Sequence, residues 1–599
     1  MNKTEKSNNL PPQTNKKRHA FSLNFYVANS MEIFERLAWY GFFTLSSLYM
    51  TSPAIQGGLA FSDQQRGLLQ GMVPFLLYLL PVITGALADS YGYRRMFIIS
   101  FLIMCPSYYL LGQVSSFWPF CAVFILVAIG AACFKPVVVG TVAKVTNDSN
   151  RGLGFGIFYT MVNVGGFLGP LVAGYVRVIG WDMVFIMSSL WIALNLLPAI
   201  FLYKEPENEA SALTKSSLTQ VLKQAQMVLG NGRFALLVTP MILGLMIAGT
   251  GAITYQQYLL SAAIWLFCNL LWDKYLTSSV STAAKTTISP WFKTKTQIGN
   301  KPFVIYLLIL TGFWTMYLQL FVTTPLFIRD FVNTTALVNY LEQLSPQWLE
   351  YFAGVNIEQL ASAITQQLHN NPTAESVTTN ISAIYFDLVN YKVMVPRQEI
   401  IAGLHAIAAN DTTSAIMAEQ WAENYRQINP EYIVNISFGC IIAGQIMISH
   451  YCAKINPLPV IVIGTAIIAL AMLITGAAAS SAMSGVIIII AVIVFAFGEM
   501  IASPKSQEYV ATIAPKEHSA MYMGYYFVSM ALGFLFAGLL SGWSYGLLAK
   551  TMNQPMLMWS LFAGIGTLTC LALVWFNRNY IRSENNFENL AVESEATSQ

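Results

Sequence analysis

Glu32, Glu35 and Arg36 stand on one stripe of an otherwise apolar stretch, Glu32-Ile-Phe-Glu35-Arg36-Leu-Ala-Trp39-Tyr40-Gly41. Positions 32, 35, 36, 39, 40 and 43 share one face at helical spacing, so the three charges point the same way as Trp39 and Tyr40. An ionisable side chain at the centre of a bilayer helix costs roughly 2.5 to 3.5 kcal/mol on insertion scales, so such residues face a wet cavity and mark a substrate or ion path. A carboxylate beside a cation stays ionised while paired and takes a proton when the pair opens. Proton binding and cavity opening can then drive one another. Glu32 and Glu35 beside Arg36 suit that role.

The elements that must hold such a stripe are membrane helices. The 599 residues are 55% hydrophobic and only 10% charged, against about 25% charge in ordinary soluble domains. The mean hydropathy is +0.54. At roughly 20 residues per span, the chain has room for about fourteen spans and one sizeable soluble segment. The net charge of +3 carries little information, because in a membrane protein the distribution of charge outweighs its sum. Nothing suggests nucleic-acid binding. The cysteines, at 105, 121, 133, 268, 440, 452 and 570, lie in apolar stretches without metal-ligand spacing and read as packing residues. No metal or organic cofactor is implied, and the energy source expected is a proton gradient.

Apolar runs of spanning length fall near 28–50, 66–87, 95–114, 117–141, 153–176 and 182–203, then 234–253 and 256–273, then 302–326, 432–452, 456–478, 485–512, 521–547 and 555–577. The pattern is six, two, six. Lys and Arg gather in the N-terminal tail, at Arg94, Arg95, Lys144, Arg151, Lys204, Lys215 and Lys223, before the ninth run, and at Arg578 and Arg582. All these segments fall on one side if both termini are cytoplasmic. The expected organisation is a cytoplasmic tail (1–27), an N-terminal six-helix bundle (28–203), a linker with two extra transmembrane helices (204–301), a C-terminal six-helix bundle (302–577) and a second tail (578–599). The N-terminal segment lacks the clean apolar core and small-residue site of a cleaved signal peptide.

Residues 333–428 then form an extracytoplasmic insert between helices seven and eight of the core. It is acidic, and stretches such as 336–352 and 357–368 keep a helical period, which predicts a small folded helical domain. A cap or spacer is the plain reading; an unidentified partner of the insert, or a substrate-capturing role, is the alternative.

After the second run comes Gly85-Ala-Leu-Ala-Asp89-Ser-Tyr-Gly92-Tyr-Arg94-Arg95. It resembles the G-x-L-a-D-r-x-G-r-r loop signature of the major facilitator superfamily, with Ser90 where a basic residue is usual. Gly85 allows close helix approach, Asp89 can cap or pair across the cytoplasmic gate, and the arginines hold the loop inside. Gly85, Asp89, Gly92, Arg94 and Arg95 are thus gating or structural residues. The first stretch is similar to the E-x-x-E-R-F-x-Y-Y-G signature of the proton-dependent oligopeptide transporters, with Leu37 and Trp39 as departures. Lys135-Pro136, Phe158-Tyr159-Thr-Met-Val-Asn163-Val-Gly165 and Gly498-Glu499-Met-Ile-Ala-Ser503-Pro504, followed by Ala514-Pro515, agree with the same family in the same order.

That resemblance implies an all-α major facilitator fold and a site for a zwitterion. Arg36 and Lys135 would receive a peptide's C-terminal carboxylate and Glu499 its amino terminus, with Tyr40, Asn163 and Ser503 as polar contacts and Trp314 bounding a side-chain pocket. Asn429 could add a polar contact at the entry to the eighth helix. Glu32, Glu35, Arg36 and Lys135 would couple protons. The family's seventh helix places an acid where this chain has Leu318, so Glu32 or Glu35 must take over the pairing of Lys135, or coupling is weakened, or the substrate differs. Lys505 and Glu508, three residues apart, read as a local pair.

The expected function is proton-coupled import of di- and tripeptides or peptide-like compounds by alternating access, in a multi-pass protein of a bacterial inner membrane whose partners are those substrates, protons and lipid. Two rivals are a proton-antiport exporter of amphipathic compounds and a peptide-sensing receptor that does not transport. An enzyme is not expected. His19, His369, His405, His450 and His518 lie away from any nucleophile motif.

Overall fold

The computed structural model describes residues 21–146, 150–205, 226, 228–275, 291–514 and 519–581. Most of both tails, most of the segment after the sixth run and Pro515 lie outside them. The described chain is almost entirely helical, and two isolated antiparallel bridges are its only β pairing.

The first half holds α1 (Leu23–Thr51), α2 (Asp63–Leu79), α3 (Pro81–Tyr91), α4 (Tyr93–Leu111), α5 (Phe117–Val145), α6 (Arg151–Val176) and α7 (Trp181–Leu197). Ser62 starts α2 with a capping box shared with Gln65. Pro81, which has no N–H to continue the ladder, marks the 40° bend that makes α2 and α3 one broken span. The extra pair, α8 (Gly232–Gly249) and α9 (Tyr255–Tyr275), is stitched together by Trp265 Nε1 donating to the Leu237 carbonyl at 3.1 Å and by Arg233 pairing with Asp273 at 3.2 Å. Large apolar side chains such as Leu259, Leu260 and Phe267 are exposed on its outer face, as lipid contact requires.

The second half begins with α10 (Lys301–Tyr317), continued by the short α11 (Gln319–Val322) and α12 (Thr324–Phe331). It resumes after the insert with α20 (Pro430–Cys452), α21 (Pro457–Ala478), α22 (Ser484–Ile513), α23 (Ser519–Ser544) and α24 (Pro555–Phe576). Among the described residues, eleven helices are long and apolar enough to cross a membrane, and counting the bent pair makes twelve. The expectation of fourteen is met only with two further helices. The charges of α1 and the polar residues of α9 set those two below the apolar threshold.

The insert comprises α13 (Thr335–Leu344), α14 (Pro346–Ala353), α15 (Ile357–Asn370), α16 (Ala374–Thr379), α17 (Ile381–Leu388), α18 (Arg397–Ala408) and α19 (Ser414–Tyr425). Leu360, Ile364, Leu388, Ile400, Leu404 and Trp421 form a core of its own. Backbone bonds from Met394 to Tyr425 and from Gln427 to Lys392, both 2.9 Å, return the chain to α20.

The two halves meet chiefly along α2 with α23 and α6 with α20. At the first crossing, a Cβ on Gly67 would lie 2.4 Å from the Gly538 carbonyl oxygen, so only glycine permits this backbone contact.

Candidate functional site

Arg36, midway along α1, is buried and grips Glu35 with both Nε and Nη2, at 2.6 and 2.7 Å. Its Nε also lies 3.5 Å from a Glu32 oxygen, and that same oxygen accepts from Lys135 Nζ on α5 at 3.0 Å. Two carboxylates thus balance two cations, all on the first half. In a medium that screens poorly such contacts are strong, and an unpaired member would be costly to keep. Pairing of Lys135 by Glu32 takes the place of the missing seventh-helix acid. Leu318 at that position is buried apolar packing.

Glu499 lies on α22 in the other half, buried, and accepts a hydrogen bond from Tyr317 of α10 at 2.6 Å. Its Oε2 has no partner within the protein, so one acceptor remains free for a ligand or water. Tyr40 connects the two poles. Its ring centroid lies 5.4 Å from the Arg36 guanidinium carbon and 5.1 Å from that of Phe438 on α20, and it sits within electrostatic reach of Glu499, as does Tyr159. The cations and the lone acid therefore approach a common region from opposite halves.

Other candidates occupy different positions. Asn163 spends its amide N–H on the Tyr159 carbonyl one turn back, at 2.8 Å, and keeps its side-chain oxygen available. Ser503 is half-buried one turn from Glu499. Trp314 is buried within the second half, its ring 5.1 Å from that of Tyr317 and its Nε1 unpartnered; it backs Tyr317 instead of bounding an open pocket. Asn429 is fully buried at the insert end of α20, where its backbone N–H reaches the Phe352 carbonyl, and so belongs to the insert interface.

At the loop signature, Asp89 has no partner across the gate among the described residues. It is exposed and accepts from Tyr93 in its own half at 3.2 Å. The group that organises the loop is Glu205, which accepts from the backbone N–H of Tyr93 and of Arg94 at 2.7 and 2.9 Å, at the start of α4 where a helix dipole favours an anion. Arg94 reaches the carbonyls of Ala199 and Ile200, Arg95 is exposed, and a Cβ on Gly85 would touch Pro136 at 3.5 Å. Gly92 takes φ +91, open to glycine and strained for other residues.

The two ends of the molecule differ. At the insert end, Arg177 of the first half pairs with Glu431 of the second at 2.9 Å, and Asp63 pairs with Lys550 at 3.1 Å. Arg66 donates to the Val322 carbonyl and to Ser541, and Arg329 donates to Thr51, all at 3.1 Å. Tyr351 of the insert lies between Tyr175 and Tyr432, one from each half, and bonds the Leu171 carbonyl at 3.0 Å. At the opposite end, Tyr159 is exposed, and a Cβ added to Gly156 or Gly524 would meet nothing within 4 Å. Lys135, 20% exposed, faces this open side. The site is closed toward the insert and open toward the end where α1 begins.

This is the arrangement of a multi-pass membrane protein: two helical bundles, charged groups between them and one end sealed. The chain belongs to the major facilitator superfamily, whose family model matches residues 37–341 and 401–594 and skips the middle of the insert. Its relatives include the peptide transporter YePEPT of Yersinia enterocolitica, 28% identical over 173 residues, which are 28% of this chain and 34% of that protein. The di-/tripeptide transporter of Lactococcus lactis subsp. cremoris is 27% identical over 207 residues, 31% of this chain and 40% of that one. These matches span between a third and two-fifths of the curated relatives' length. Over nearly the whole chain the fold is similar to the crystal structure of peptide transporter POT in complex with sulfate, with a TM-score of 0.59, 15% identity, and 93% and 94% of the two chains covered. The resemblance drawn from the motifs is borne out for the major facilitator superfamily.

Proposed function

We propose that this protein imports di- and tripeptides or peptide-like compounds together with protons, by rocking its two halves around the site between Arg36, Lys135 and Glu499. The observation that carries this reading is the division of charge: two cations on one half, and on the other a single carboxylate with a free oxygen. A zwitterion bridging them would draw the halves together around itself, which supplies the differential binding that alternating access needs. The conformation supports loading or release at the end where α1 begins; in this reading that end faces the cytoplasm, as the distribution of positive charge suggests, and the membrane is a bacterial inner membrane. Tyr40, Asn163 and Ser503 would contact the peptide backbone. Glu32, shared by Arg36 and Lys135, is the proton acceptor whose neutralisation frees Lys135; Glu35 keeps Arg36 oriented. No cofactor beyond the proton gradient is required.

The test is uptake of labelled dialanine into proteoliposomes under an imposed pH gradient, acid outside. Accumulation that collapses with a protonophore is expected. Outward pumping would favour an exporter, and saturable binding without flux a receptor; either result would overturn the proposal.

A further inference from the structure

Beneath the insert lies a cavity of about 140 Å³ that the central site does not use. Its wall is assembled from three parts of the chain: Arg177 from the end of α6, Arg329 from α12 and Lys392 from the insert, with Gln56 and Trp181 beside them. No aspartate or glutamate is among the residues that line it. Arg177 and Arg329 each have a carboxylate partner behind the wall, Glu431 and Asp330. Lys392 donates to the Gly354 carbonyl at 2.9 Å. Burial, with Arg177 and Arg426 acting against its charge and Glu431 and Glu350 in favour of it, pushes its ammonium down to about 7. Gln56 contributes a buried Nε2 within reach of the Tyr391 hydroxyl, another lining residue. A lysine held at φ +63 is a strained choice where asparagine or glycine would sit easily, so the side chain itself is what the position supplies.

We propose that this cavity is a binding site for a small carboxylate, received by Lys392, Arg177 and Gln56. A carboxylate there would give Lys392 a direct ionic contact and Gln56 a charged acceptor in place of a phenol, through charge-assisted hydrogen bonds. The volume suits a carboxylate on a short chain and excludes a whole tripeptide. The ligand is either a free organic acid or the C-terminal end of a peptide arriving from the insert side. Because Arg177, Arg329 and Lys392 ride on the first half, the second half and the insert respectively, an anion among them ties all three together and favours the state closed on that side. The inference holds whether or not the protein moves peptides.

Calorimetric titration of the purified full-length protein with sodium acetate, against sodium chloride at matched ionic strength, tests it. Saturable acetate binding is expected, weakened ~10-fold or more in Lys392→Met and largely kept in Lys392→Arg. Gln56→Leu, a change at the rim that leaves the ion pairs in place, should weaken it by a smaller factor. Repeating the titration in Lys135→Ala protein with dialanine and with dialanine amide separates the sources. Binding of the free acid but not the amide would assign a peptide terminus, and acetate alone a free organic acid. Acetate that behaves as chloride does, or binds Lys392→Met as tightly as the unaltered protein, would overturn the proposal.

Discussion

One oxygen of Glu32 holds Lys135 at 3.0 Å and lies 3.5 Å from Arg36 Nε, so a single carboxylate joins Lys135 to the Arg36–Glu35 pair. Protonating it would release Lys135 while Glu35 keeps Arg36, and nothing on α10 stands ready to replace it, since Leu318 occupies that place.

Glu32→Gln should therefore separate exchange from accumulation. Counterflow of labelled dialanine, which needs only substrate binding and rocking, is expected to persist, while accumulation driven by a pH gradient falls ~10-fold or more, equivalent to at least ~1.4 kcal/mol of lost coupling. Lys135→Ala should abolish both. Equal loss of counterflow and accumulation in Glu32→Gln would show that Glu32 only builds the site.

Glu499→Gln is expected to abolish dialanine uptake, because it removes the carboxylate that the second half brings to the central site. Tyr317→Phe leaves the charge but deletes the 2.6 Å donor that orients it. A hydrogen bond to a charged group contributes about 1.5 to 3 kcal/mol, so KM should rise ~10-fold with little change in the maximal rate. A fall in maximal rate at unchanged KM would place Tyr317 in the rocking motion instead of the binding site.

Lys505 sits six residues beyond Glu499 and has its own partner in Glu508, at 2.9 Å, with the Ile455 carbonyl at 3.2 Å. Lys505→Ala should keep at least half of the uptake. Loss as complete as in Lys135→Ala would extend the site toward the open end.

Tyr351 belongs to a segment anchored at both ends in the second half, yet its ring rests on Tyr175 and its hydroxyl bonds the Leu171 carbonyl of the first. Opening on the insert side must break those contacts. Tyr351→Ala should shift spin labels placed at the insert-side ends of α6 and α20 toward longer separations, by a population change of a few-fold. Unchanged distances would mean that the ion pairs alone close that end.

The central charges were legible in the sequence because an ionisable residue in an apolar span has few places to go, and Arg36, Lys135 and Glu499 face the region between the halves. What escaped was set by tertiary contacts. Tyr317 reads as one aromatic among many in α10 and acquires meaning only opposite Glu499. Glu205 lies at the edge of a polar stretch, with no local pattern to connect it to the first turn of α4. The Arg177–Glu431 pair joins positions more than 250 residues apart, each looking like an ordinary helix-end charge. Asp89 reads equally as a cap or a cross-gate partner, and among the described residues it bonds Tyr93 of its own half. Trp314 and Asn429 fell on suitable helices, but periodicity does not say how deep a side chain is packed. The helical insert followed from its amphipathic spacing, whereas its contact with both halves depends on where Tyr351 lands.

Lys392 offers a pH signature of the insert interface. Its ammonium is pushed down to about 7 by burial and by Arg177 and Arg426, with Glu431 and Glu350 acting in the opposite sense; the ordinary value is 10.5. Below pH 7 both the folded and unfolded chains carry the proton, and the folded state bears the full penalty of a charge it solvates poorly. Between about pH 7 and 10.5 the unfolded chain holds more protons than the folded one, so this group's contribution makes stability rise with pH across that window. Lys392→Met removes the group, so the variant should exceed the unaltered protein in thermal midpoint by the most near pH 6.5, with the gap closing by pH 9.5. The comparison, made in carboxylate-free buffer, isolates Lys392 because every other titrating group is common to both proteins. A gap that stays constant across the window would mean that Lys392 keeps its charge throughout, through a partner stronger than the Gly354 carbonyl.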